Sequence, residues 1–152
     1  MSDYWTLIEP AYDRVDIYGT PKHFLKGLAQ EAEPVRLLLC VHWCDSEVCN
    51  GGYAQFFENA TGVLAPEAVE GYRAVGRPDL AKLLDEAMKL LTKGKYPRVR
   101  KKRQKLLAAH GKAGTSFEDL EDMYYEAKDG TATLPGLYPA MDAFASKVGI
   151  EL

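Results

Sequence analysis

The sequence predicts an all-α fold, one compact domain of seven to nine helices, on three observations. Apolar residues recur at helical spacing in one segment after another, and most of these segments open with proline or a capping residue. The length of 152 residues also suits one domain, in which roughly 70% of the surface of the unfolded chain is buried.

The clearest element spans residues 78–91, where Leu80, Leu83, Leu84, Ala87 and Leu91 form one apolar stripe at i, i+3, i+4, i+7 and i+11. Pro78 suits the first turn, where its missing N–H has no helical partner, and Gly94 lies just past the end. Near the start, Pro10 interrupts residues 5–18, which form either one kinked helix or a short turn followed by a helix opening at Pro10. Thr20 and Pro21 read as the cap and first residue of a helix running towards Gln30, and Pro34 starts the next. Residues 35–44 are nearly all apolar, and their length and helical neighbours favour a central helix over a buried strand. Further helices are expected over 66–75, 97–110 and 139–148, each opened by proline, and over 116–127, introduced by Ser116 and Asp119 as a capping signal. The Gly/Thr/Pro-rich stretch 129–136 reads as a long mobile loop. The core should centre on the 35–44 helix and the Leu80 to Leu91 stripe.

Composition narrows the function classes. The longest apolar run, residues 37–41, is far short of the roughly 20 residues that span a bilayer. The first 18 residues carry Asp3, Glu9, Asp13 and Asp16 and lack the pattern of a signal peptide, so a cytoplasmic location is expected. Cys40, Cys44 and Cys49, an odd number within ten residues, read as reduced thiols. Charge is sorted along the chain although the total is only −3: residues 1–70 sum to −7, residues 71–112 to +10 and residues 113–152 to −6.

Residues 47–62 depart from generic bundle sequence. Asn50 reads as a cap, Gly51 and Gly52 as a tight turn feeding a short helix, and Tyr53, Phe56 and Phe57 share one helical face. Gln55 lies on the same helix and needs a partner if buried. The run Glu47, Asn50, Gly51, Gly52, Tyr53, Gln55, Phe56, Phe57, Asn59, Gly62 resembles the signature of a bacterial DNA-mimic protein family. That resemblance implies an all-helical fold and, in the member that gives the family its name, an acidic face that imitates DNA and occupies a transcription regulator.

Cys40, His42, Cys44 and Cys49 invite a zinc reading, but on a helix His42 points about 200° away from Cys40, and no metal or other cofactor is expected. His42, Asp45 and Glu47 form the best catalytic candidate, yet no nucleophile-elbow, phosphate-loop or metalloprotease motif accompanies them, and a non-enzyme is expected. Residues 93–105 hold Lys93, Lys95, Arg98, Arg100, Lys101, Lys102, Arg103 and Lys105, which would serve direct nucleic-acid binding. Their charge spreads around most of the helix, which favours a solvated helix instead. Glu118, Asp122, Glu126 and Asp129 share one face at i, i+4, i+8 and i+11, a linear array of carboxylates about 6 Å apart in rise.

The functional expectation is a non-catalytic domain that binds another protein, a transcription regulator or other DNA-binding protein by resemblance, through Glu118, Asp122, Glu126 and Asp129. Direct nucleic-acid binding through residues 93–105 and an immunity-like inhibitor of a toxin are the alternatives.

Overall fold

The computed structural model describes residues 3–149; residues 1–2 and 150–152 of the expected domain lie outside the described residues. Among the described residues eight α-helices follow one another: α1 (Asp3–Arg14), α2 (Pro21–Ala29), α3 (Glu33–Glu58), α4 (Ala65–Ala74), α5 (Pro78–Leu91), α6 (Arg100–Ala113), α7 (Glu118–Lys128) and α8 (Leu137–Gly149). A 3-10 turn, Ala60–Leu64, joins α3 to α4. No strand occurs among the described residues.

Local chemistry sets the boundaries. Thr20 has extended backbone and its hydroxyl accepts from the His23 N–H, so α2 begins where Thr-Pro placed it. Pro10 lies inside α1, and the helix continues through it because Tyr4, Ile8, Ala11 and Val15 keep one buried stripe on both sides. In α5 the expected stripe is buried along its whole length, and the helix ends on extended Thr92 rather than on a left-handed Gly94.

α3 is the axis of the molecule. Leu38, Leu39, Cys40, Val41, Cys44 and Val48 are almost wholly buried on it, and it packs against α1, α4, α6, α7 and α8. α5 packs on α4, α6 and α7, while α1 and α8 close against each other. Each fully buried Leu or Phe contributes about 1.5–3 kcal/mol, so this axis supplies much of the driving force.

The expected turn at Gly51 and Gly52 is present: both leave helical backbone, Gly52 with φ +78, and they divide α3 into a long first part and the short helix that carries Tyr53, Phe56 and Phe57. The structure revises two other expectations. α6 begins at Arg100 instead of Pro97, because the Pro97 and Arg98 carbonyls turn towards the Arg103 guanidinium rather than into the helix ladder. The 129–136 stretch is tied down: Thr131 Oγ1 accepts from the Thr133 and Leu134 N–H groups, and Pro135 O accepts from Arg77.

Candidate functional site

The 47–62 signature builds the kinked end of α3. Gly52 has φ +78 and ψ −175, so the ladder breaks there and leaves the Tyr53 N–H free to bond Glu121 Oε2 of α7 at 2.7 Å. Glu47 reaches across the kink, its Oε2 accepting from Gln55 Nε2 and Asn59 Nδ2, both at 2.9 Å. The partner that Gln55 requires is therefore Glu47, another signature residue. Tyr53, Phe56 and Phe57 are wholly buried, with Phe57 packed edge-on against Phe117 at 5.6 Å. Asn50 does not cap the helix: its exposed side chain makes no hydrogen bond among the described residues, because Glu121 has taken the free N–H.

The far end of the same helix is held by Arg103, which is 0% exposed. Its guanidinium donates to the carbonyls of Phe57, Asn59, Pro97 and Arg98. A cation at a helix C-terminus complements both the unsatisfied carbonyls and the dipole. Gly62 makes room for it, since a Cβ there would lie 2.6 Å from Arg103 Nε. Burial holds the guanidinium below its usual range. Arg98 forms a fork with Glu67 at 2.6 and 2.9 Å, and Arg100 donates to Glu58 O. The three arginines of the basic run are thus structural, whereas Lys93, Lys95, Lys101, Lys102 and Lys105 are exposed and form no ion pair among the described residues.

His42, Asp45 and Glu47 do not converge on one reaction centre. His42 Nδ1 lies 3.2 Å from the Tyr4 hydroxyl among the rings of Trp5 and Tyr12, and burial lowers its pKa. Burial also pushes the Tyr4 hydroxyl up to about 12. Asp45, 2% exposed, accepts from Tyr124 and Tyr138 at 2.7 Å each and from Lys128 Nζ at 3.1 Å. Tyr72 extends the chain through Tyr124 at 2.7 Å. Burial disfavours the Lys128 ammonium, but its bonds to Tyr138, Asp45 and Cys49 outweigh this and hold it above its usual range. Cys40 and Cys44 are buried, with thiols raised by burial, and Cys49 is exposed. No group of three His, Cys, Asp or Glu residues among those described has an arrangement that could hold a metal ion.

Glu118, Asp122, Glu126 and Asp129 are all exposed, and none forms an ion pair among the described residues. The inner side of α7 is fixed by Tyr124, buried against Tyr53 and Asp45 of α3 and Tyr72 of α4, and by Glu121 at the kink. Its outer side therefore presents carboxylates, with Met123 53% exposed among them. Glu118 and Asp119 sit favourably at the positive end of the helix. Glu126 and Asp129 lie at the negative end, where like sign costs about 0.3–1 kcal/mol.

Two buried side chains escaped the sequence reading. Arg77, 0% exposed, directs its N–H groups to both Asp79 oxygens and to the carbonyls of Ala127, Lys128 and Pro135, closing the C-terminus of α7 as Arg103 closes α3. Asp45 enters the sequence reading only as a member of the candidate catalytic cluster with His42 and Glu47, not as the buried acid that Lys128, Tyr124 and Tyr138 satisfy.

Fold and surface together define an all-helical domain with a glycine-kinked central helix and an acidic helix held on its outside. The DMP19-like protein family matches residues 29–146, well over half of the sequence, and the chain belongs to that family. No curated protein and no solved structure matches it. No helix among the described residues is long and apolar enough to cross a membrane.

Proposed function

We propose that this domain binds a DNA-binding protein through the outer face of α7, with Glu118, Asp122, Glu126 and Asp129 occupying positions that DNA phosphates would take. The observation that carries this reading is the exposure of all four carboxylates without a cationic partner among the described residues. A field steers a partner only where it reaches solvent, and the basic segment does not quench this one by direct pairing. Membership of the DMP19-like family supports a DNA-binding protein, such as a transcription regulator, as the class of partner.

The charge density sets the scale of the mimicry. The row offers one carboxylate per about 6 Å of helix axis, sparser than the one phosphate per about 3.4 Å along a single DNA strand. It suits a few phosphate-binding side chains on the partner rather than a whole duplex footprint. No catalytic role is assigned, because His42, Glu47 and Asp45 are committed to different partners, Tyr4, Gln55 and Tyr124.

The test is affinity capture from the native cell extract, comparing wild type with a variant carrying Glu118→Gln, Asp122→Asn, Glu126→Gln and Asp129→Asn. The proposal expects a DNA-binding protein on wild type alone. Capture of the same protein by both would remove this face from consideration, and capture of a toxin by wild type would indicate the immunity-like role instead.

A further inference from the structure

The basic segment has a second property once its arginines are accounted for. A groove of about 720 Å³ opens between Leu25 of α2, the loop before α6 and the first turns of α6. Its apolar lining includes Leu25, Pro97, Val99 and Leu106, and its rim carries Lys95, Lys102 and Lys105. All three lysines are exposed without ion pairs among the described residues. Val99 is 45% exposed at the N-cap of α6, a position that ordinarily favours Ser, Thr, Asp or Asn. The helix behind it has no side-chain cap and no acidic residue in its first turn. An apolar floor, a cationic rim and an uncapped positive helix end thus meet on one surface.

We infer that this groove binds an acidic amphipathic segment of a partner protein, with a large aliphatic side chain on Val99 and Leu106 and carboxylates on Lys95, Lys102 and Lys105. Charge complementarity selects the occupant. Nucleic acid is the less suitable ligand, because the arginines that could grip phosphate bidentately are spent on Glu67 and on backbone carbonyls. The aromatic side chain in the lining, Tyr96, is no free stacking platform: its hydroxyl donates to Gly62 O at 2.6 Å and its ring packs on Phe57. The domain would then carry two faces of opposite sign, the groove and α7, each with its own ligand.

The experiment is fluorescence anisotropy with a labelled synthetic peptide about four helical turns long, carrying Leu at i, i+3, i+4 and i+7 and Glu elsewhere. An all-Glu peptide of equal length and a labelled DNA duplex serve as comparisons. Wild type should bind the Leu-containing peptide, and the Lys102→Glu/Lys105→Glu variant and the Val99→Ser variant should each bind at least about tenfold more weakly. These positions are exposed, and circular dichroism will verify that the variants fold. The α7 quadruple variant should bind the peptide like wild type, which separates this inference from the proposed function. Absence of peptide binding, equal binding by the groove variants, equal binding of the all-Glu peptide, or duplex DNA binding that displaces the peptide would each overturn it.

Discussion

A Cβ on Gly52 would lie 1.8 Å from Glu121 Oε2, the same oxygen that accepts the Tyr53 N–H at 2.7 Å. The glycine and the carboxylate therefore depend on each other: the kink frees an N–H, and the missing side chain lets Glu121 reach it. This contact fixes α7 on α3 and so determines which side of α7 faces solvent.

Gly52→Ala should destabilise the fold by at least about 2 kcal/mol, through backbone strain at φ +78 together with displacement of Glu121. Gly111→Ala in α6, where an added Cβ meets nothing within 4 Å, should instead stabilise by about 0.5–1 kcal/mol. Urea unfolding of both variants checks the contrast in sign.

Arg103→Met should cost at least about 3 kcal/mol, since the carbonyls of Phe57, Asn59, Pro97 and Arg98 would lose a buried donor. Lys101→Met, on the exposed side of the same helix, should change stability by no more than about 0.5 kcal/mol. Thermal unfolding of the pair measures the difference. Reversing Arg103 in a nucleic-acid assay would report unfolding rather than binding.

Asp45→Asn should destabilise by about 3 kcal/mol, because Lys128 would remain largely buried beside Tyr138 without its anionic partner. Half-exposed Asp85, paired with largely exposed Lys89 one helical turn on, offers the comparison, and Asp85→Asn should fall within about 0.5 kcal/mol of wild type.

His42 predicts a pH dependence. Burial depresses its pKa in the folded state, so below the unfolded value of about 6.5 the unfolded chain binds a proton that the native chain refuses. Stability contributed by neutral His42 is present above that value and is lost as pH falls below it. Chemical unfolding at pH 7.5 and 5.5 (two chosen values, about one unit either side of 6.5) should show wild type weakening more than His42→Gln.

Much of the fold was legible because helix periodicity and proline-opened starts are local signals. The α5 stripe and the Thr20 cap needed no tertiary information. The Gly51-Gly52 turn was legible too, but its partner was not: Glu121, which accepts the Tyr53 N–H that the turn frees, lies far along the chain. The role of Arg103 was visible in part. It precedes Leu106, Leu107 and His110 at i, i+3, i+4 and i+7, which places it on the inward face of α6, but the surrounding lysines obscured that pattern. Asp45 likewise lies between Val41 and Val48 on the buried side of α3, where an acid requires partners that only the tertiary fold supplies. The acidic row of α7 was readable from spacing alone, while its freedom from ion pairs became apparent only in three dimensions.

The central claim is that the α7 carboxylates occupy a protein's DNA-binding surface, and competition measures this directly. With the captured DNA-binding protein immobilised, binding of wild type should be displaced by duplex DNA and should weaken steeply with added salt. The Glu118→Gln, Asp122→Asn, Glu126→Gln, Asp129→Asn variant should bind at least about tenfold more weakly. Binding that survives saturating DNA, or that is unchanged in this variant, would contradict the account.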